Sequence, residues 1–171
     1  MATYKIDLGC GHRKQDGYLG MDVAPLAEVD VICNLENGIP LKDNCVTSVY
    51  SNQFLEHVQD FVFVMQEIYR VSHPGAKVTL RTPYYTSIGA FKDPTHKNFF
   101  TEETFRYFSS FEWERFDYRL DVNFQVERIT YTYMRPFGRL GSLLPSALMY
   151  PFRRFLWNVV HTMISELRVI K

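Results

Sequence analysis

The sequence predicts an α/β fold: one domain, layered as a three-layer sandwich around a mostly parallel sheet. Three observations carry this. The first half of the chain alternates short runs rich in Val, Ile and Tyr with turn residues, as strands do. One clearly amphipathic stretch, 55–70, falls between two of those runs, and strand–helix–strand units imply parallel pairing with helices on the faces. The length of 171 residues, with 46% hydrophobic and 22% charged side chains, is that of one globular core.

The elements follow in order. Tyr4 to Leu8 reads as a strand ending at Gly9-Cys10-Gly11, Tyr18 to Val23 as a second ending near Asp22, and Val29 to Cys33 as a third ending at Asn34. Val46 to Asn52 is the fourth, introduced by Lys42-Asp43-Asn44. Leu55, Val58, Val62, Met65 and Tyr69 then recur at helical spacing, with Glu56, Gln59, Asp60, Gln66, Glu67 and Arg70 on the other side. His73-Pro74-Gly75 is expected to stop this helix, and Lys77 to Thr82 to form the fifth strand.

The later half reads differently. Thr101-Glu102-Glu103 has the form of a helix start running to about Phe108, with a Thr cap and two acids in the first turn. Phe116 to Val122 and Phe124 to Tyr133 read as two strands joined near Asn123, and Phe152 to Ser165 as a final helix. Residues 1–134 therefore form the main body. Residues 135–171 form an irregular segment and an amphipathic helix packed on the same domain, too short for a core of their own.

Composition narrows the function. The formal net charge is zero, so the basic excess of a nucleic-acid binder is missing and no nucleic-acid partner is expected. Cys10, Cys33 and Cys45 form no zinc-ligand spacing, so no metal is expected, and scattered thiols fit a reducing compartment. There is neither the pattern of a secretory leader nor an apolar run of the ~18 residues that span a bilayer, and the expectation is a soluble cytoplasmic protein. The aromatic share is high, 16%, and such rings serve first as core.

Chemistry concentrates at the strand ends. Asp7-Leu8-Gly9-Cys10-Gly11 ends a strand in Gly-x-Gly, where the chain can turn sharply and approach a ligand with no Cβ in the way. An acid just before the glycines can accept from an ammonium. In a parallel sheet the carboxyl ends of the strands share one crevice. There Asp22 can take both hydroxyls of a ribose, Asn34 can meet an adenine edge, and Ser51-Asn52 stands at the next strand end.

Lys5-Ile6-Asp7-Leu8-Gly9-Cys10-Gly11 resembles motif I of the class I S-adenosylmethionine-dependent methyltransferases. Similarity continues through Gly17-Tyr18-Leu19-Gly20-Met21-Asp22, Ser51 to Val58, and Glu67-Ile68-Tyr69-Arg70-Val71 with Pro74-Gly75. Together these look like the small bacterial methyltransferases of the type 11 group. Asp93-Pro94-Thr95-His96 followed by Phe99-Phe100-Thr101 is similar to one branch of it. The resemblance covers roughly residues 4 to 109. It implies a Rossmann-like sheet with a C-terminal antiparallel hairpin and S-adenosylmethionine as cofactor. By the same resemblance Asp7, Gly9, Cys10 and Gly11 hold the methionine end, Asp22 the ribose, Asn34 and Leu35 the adenine, and Ser51 and Asn52 border the site. Two positions depart from the pattern. The stretch between Gly11 and Tyr18 is too short for the usual first helix, and Asn34 stands where an acid is usual.

For the acceptor, a small-molecule or sugar-like compound is expected; a hydroxyl acceptor calls for a general base, whereas an amine or thiolate needs none. His96 and His57 are the candidate bases, and Asp93 can orient His96. Tyr84, Tyr85 and Phe91 can line an acceptor pocket, although packing of a helix on the sheet accounts for most of the aromatic stretch around them. The tail from Arg128 to Ser165 holds five arginines and no acid, amid many apolar residues. Such a segment can make peripheral membrane contact, cover the site or form a homodimer. Two rival functions stand beside the transferase: a non-catalytic protein that keeps the cofactor fold, and a nicotinamide dehydrogenase. The second lacks the full G-x-G-x-x-G, since Lys14 occupies the last position.

Overall fold

The computed structural model describes residues 3–109, 120–135 and 137–171. Seven strands, β1 (Tyr4–Leu8), β2 (Leu19–Asp22), β3 (Val31–Ile32), β4 (Val46–Asn52), β5 (Ser72–Pro83), β6 (Phe124–Tyr133) and β7 (Val160–Val169), form one sheet. Their order is β3-β2-β1-β4-β5-β7-β6. The first five pair in parallel, while β7 runs antiparallel to both β5 and β6. Register brings the carboxyl ends together: Leu8 is level with Met21 and Ser51, Asp22 with Ile32, and Asn52 with Arg81. The Rossmann-like, mostly parallel sheet and its C-terminal antiparallel hairpin are as expected.

Helix α1 (Phe61–Val71) carries the main core contact. Asp60 caps it, its side chain accepting from the Phe63 N–H at 2.8 Å. Val64, Met65, Ile68 and Val71 are its buried face. They pack with Ile6, Leu8, Met21, Val49, Val78 and Leu80 of the sheet. The β5–β6 connection adds a short helix α2 (Ile88–Phe91) and a 3₁₀ turn, Thr104–Phe108. Phe61 meets the rings of Phe100, Phe105 and Phe108 edge-on, at centroid separations of 5.3, 6.1 and 5.3 Å. Rings of this kind remove ~150–250 Å² each from water, several kcal/mol apiece.

Several elements differ from expectation. The helix starts six residues later than the periodicity suggested: 55–59 is turn, Val62 is exposed, and Val64 takes the core position. The cap at Asp60 sets this phase. His73-Pro74-Gly75 does not separate helix from strand, because β5 begins at Ser72. The proline and glycine fall in a bulge where the register passes from Val46↔Ser72 to Ser48↔Lys77, with Gly75 at φ +79°. The third strand keeps two residues of its expected five, and the turn at Thr101 leads to 3₁₀ rather than α-helix. In the expected strand 116–122, residues 116–119 lie outside the described region, and 120–122 are not strand. The hairpin partner of β6 is β7.

The largest correction is at the C-terminus. Helix is confined to α3 (Phe137–Leu143) and α4 (Ser146–Phe155), and residues 160–169 of the tail form β7 in place of a helix reaching Ser165. β7 lies between β5 and β6, so residues 135–171 contribute an interior strand of the same sheet. The stretch expected to form one amphipathic helix packed on the domain is therefore divided between α4 and β7. Among the described residues, no helix is long and apolar enough to cross a membrane.

Candidate functional site

The carboxyl ends of β1, β2 and β3 open into a crevice of about 290 Å³. That is the lower edge of the ~300–1,000 Å³ common for small-molecule sites. Gly9, Asp22, Val23, Cys33, Asn34, Leu35, Glu36, Phe54, His57 and Val58 line it. Gly9 sits at φ +65°, and a Cβ there would lie 2.5 Å from the Phe54 ring. Glycine is thus required twice, for its backbone angle and for its lack of a side chain.

Asp22 ends β2 with its carboxylate on the crevice. One oxygen accepts from the Gly11 N–H and the other from the Ala24 N–H, each at 2.9 Å. A carboxylate offers about four lone-pair sites, so two acceptor positions are left for a ligand. Asn34 caps the 3₁₀ turn Leu35–Asn37, its side-chain oxygen accepting from the Glu36 N–H at 3.0 Å. Leu35 is buried in the crevice floor.

Asp7 is not on the lining. It lies 1% exposed at the end of β1, below the 9–17 loop, and one oxygen accepts from the Gln15 N–H at 2.7 Å. Its other oxygen, Oδ1, has no protein partner among the described residues. Burial, assisted by the charge of Asp22 and opposed by the Gln15 N–H, pushes its carboxyl up to about 6. No α-helix follows β1, as the short spacing to Tyr18 implied, and the Gln15 N–H is supplied by a turn. Cys10 is buried, with burial and the carboxylates of Asp7 and Asp22 pushing its thiol up to about 11. Ser51 is buried and donates to the Leu8 carbonyl at 3.2 Å. Asn52 ends β4 with its Oδ1 buried and without a partner among the described residues.

A second cluster adjoins the crevice at His57. Asn98 clamps the 93–98 loop onto the turn after β4: its side-chain amide donates to the carbonyls of Leu55 and Val58 at 3.1 and 2.7 Å. The backbone N–H groups of Lys97 and Asn98 both reach the Glu56 carbonyl. The clamp sets the rings of His57 and His96 edge-to-face, 4.7 Å apart. His57 Nδ1 meets Thr95 Oγ1 at 2.9 Å, and Thr95 donates to Asp93 at 2.7 Å. His96 Nδ1 donates to the Ala90 carbonyl at 2.8 Å. With Thr95 giving its proton to Asp93, its oxygen accepts from His57 Nδ1–H, so both imidazoles keep the Nε2 lone pair. Burial, helped by the neighbouring His96, lowers the His57 pKa, against the opposing pull of Asp93. Asp93 is thus tied to His57 through Thr95, while its nearest approach to His96 Nε2 is 3.9 Å.

Glu56 completes the cluster, although in the sequence it reads only as part of the polar side of a helix. It is 0% exposed and neither carboxylate oxygen has a partner among the described residues. Burial, reinforced by Asp93, pushes the carboxyl up to about 7. Of the aromatic candidates, Tyr84 is fully buried and donates to Glu102 at 2.8 Å, whereas Phe91 is half exposed and stacks on Phe99.

A mostly parallel sheet in the order 3-2-1-4-5-7-6, with an acid and a Gly-x-Gly turn ending β1 and a second acid ending β2, has the fold of the class I S-adenosylmethionine-dependent methyltransferases. Residues 17–80 match the family model of the type 11 methyltransferase domain. Solved structures agree in fold. A SAM-dependent methyltransferase from Archaeoglobus fulgidus is 16% identical with a TM-score of 0.63, the match covering 98% of this chain and 86% of that one. The YcgJ protein from Bacillus subtilis is 10% identical at 0.62, over 99% and 93%. A chain of the complex between the Haloferax volcanii Trm112 methyltransferase activator and its methyltransferase is 14% identical at 0.60, over 100% and 86%. A search of curated proteins returns no match.

The residues present fit the cofactor. The orphaned buried Oδ1 of Asp7 suits an ammonium, the cradle at Gly9 is one a Cβ would fill, and Asp22 keeps acceptor sites at the crevice.

Proposed function

We propose that the chain transfers the methyl group of S-adenosylmethionine to a hydroxyl of a small-molecule or sugar-like acceptor by in-line displacement. The observation that carries this reading is the adjacency of two differently equipped spaces. One is a crevice with a ribose-binding acid and a glycine cradle, and the other is a pair of oriented imidazoles at its rim. When bound, S-adenosylmethionine supplies a sulfonium-activated methyl group. Asp22 takes the ribose hydroxyls, and Asn34 with the Leu35 N–H meets the adenine. Gly9, Cys10 and Gly11 give backbone room to the methionine end, and Asp7 receives its ammonium from beneath the loop. Ser51 and Asn52 hold the β4 end of the wall. Positioning an acceptor at near-attack distance can lower the barrier by ~7–11 kcal/mol.

His57 faces the crevice and takes the acceptor's proton on Nε2, with Thr95 and Asp93 fixing its tautomer through Nδ1. His96 packs behind it and holds its ring in place. Replacing His96 with alanine, which removes the ring that holds His57 in place, is expected to leave S-adenosylmethionine affinity unchanged and to lower turnover, by less than the ~10²–10⁴ that loss of the His57 base itself costs. Calorimetry and a labelled-methyl assay check the two halves, and unchanged turnover would remove His96 from the site. Asp22→Ala is expected to weaken cofactor binding on the order of 100-fold, since two hydrogen bonds to a charged group are lost. The acceptor itself is identified by incubating cell extract with labelled S-adenosylmethionine and characterising the labelled product. Cofactor binding with transfer to no acceptor would instead support the non-catalytic reading.

A further inference from the structure

We infer that Glu56, His57 and His96 form a binding site for one divalent cation of the zinc class. One ligand atom from each of the three lies within 4.8 Å of the others. Small side-chain rotations bring such a set to the ~2.0–2.2 Å at which imidazole nitrogen and carboxylate oxygen hold zinc. Both imidazoles are prepared for this role. Their Nδ1 atoms are committed, to Thr95 and to the Ala90 carbonyl, which leaves Nε2 as the ligand atom in each. Metal-binding histidines are usually oriented in this way, by a carbonyl or a carboxylate-linked partner on the far nitrogen.

Glu56 supplies the second, independent observation. A fully buried carboxyl with two unpartnered oxygens has no structural purpose in an apolar setting, and its removal from water is costly. A cation between it and the two imidazoles satisfies it. Two histidines and one carboxylate leave a coordination position open, as in catalytic rather than structural zinc sites. Because His57 lines the crevice, that position adjoins the acceptor space. In the loaded protein the Nε2 lone pairs are taken, and coordination of the acceptor oxygen substitutes for proton acceptance by imidazole. The inference rests on the transferase reading for what meets the open position, and not for the binding of the cation.

The test uses the full chain, stripped with chelator and free of any histidine tag, titrated with Co²⁺ as a visible probe and then with Zn²⁺ in competition. One Co²⁺ per chain is expected, with the visible bands of a site of low coordination number, displaced by one Zn²⁺. Glu56→Gln and the double variant His57→Ala/His96→Ala are expected to lose these bands. Asp93→Asn, which alters the carboxylate that accepts from Thr95 and stands 3.9 Å from His96 Nε2, is expected to weaken Co²⁺ binding by ~10–100-fold. Absence of binding overturns the site, and the same spectrum and stoichiometry in the double variant overturns it by assigning the metal to other ligands. Calorimetry with S-adenosylmethionine on the same stripped protein separates the two readings. Cofactor binding without cobalt binding overturns the cation site alone, and cobalt binding without cofactor binding overturns the crevice assignment alone.

Discussion

Gly9→Ala is expected to abolish measurable S-adenosylmethionine binding and to destabilise the fold, while Gly11→Ala does neither to the same degree. Both glycines have positive φ, +65° and +49°, so both variants carry the ~1–2 kcal/mol strain of a left-handed residue. They differ in what the new Cβ meets. At Gly11 nothing lies within 4 Å, whereas at Gly9 the Phe54 Cγ and Cδ2 lie at 2.5 Å and its Cβ at 2.6 Å. The contact involves the base of the Phe54 side chain as well as its ring, so a rotamer change alone does not clear it, and any shift moves Phe54 within the wall of the crevice. Calorimetry and thermal melts on the two variants check this, and equal losses in both would show that backbone strain alone matters.

The second large effect concerns pH. The folded carboxyl of Asp7 sits at about 6 against an ordinary 3.8. A raised folded value means that the native state binds the proton more tightly than the unfolded chain does. The stability from this group is therefore complete below about pH 4 and lost as pH rises through about 6. Roughly two pKa units correspond to ~3 kcal/mol. Urea unfolding of the protein and of Asp7→Asn across pH 4 to 7.5 isolates the group. The difference in stability between the two is expected to shift by ~3 kcal/mol in favour of the variant over that range. Saturating S-adenosylmethionine is expected to flatten the shift, because an ammonium beside Oδ1 favours the ionised form. A difference that does not vary with pH would show that Asp7 titrates normally.

Much of this fold was legible in the sequence where the local signals are strong. β1, β4 and β6 run between the residues that the Val, Ile and Tyr runs and their flanking breakers marked. The C-terminal strand was not legible, for a physical reason. β7 is paired on both sides, and its buried face carries Ser165 beside Met163, Leu167 and Val169 while apolar Ile164 lies on the half-buried face, so the apolar residues give no clean alternation in sequence. Helix α1 was found but out of phase, because apolar Leu55 and Val58 are buried in the turn before its cap and extended the pattern backwards.

The site divides in the same way. Gly9, Asp22 and Asn34 were readable because each ends a strand, and strand ends of a parallel sheet meet. Glu56 was not readable. Its burial depends on the 93–98 loop, some forty residues on, being pinned by Asn98 to the turn after β4, a contact that leaves no periodic mark. Asp93 stands 3.9 Å from His96, the partner its sequence position suggests, and its hydroxyl-mediated link to His57 leaves no sequence mark.

The position of β7 bears on how the molecule assembles. β7 follows the other six strands in sequence yet occupies an inner place in the sheet, so among the described residues β6 joins the sheet only once residues 160–169 are available. Until then β5 presents a bare edge, the kind of surface that recruits other chains. Closure then joins segments far apart in sequence, a topology associated with slow folding. Chains shortened within the last dozen residues would keep the crevice sequence intact and still be prone to aggregate.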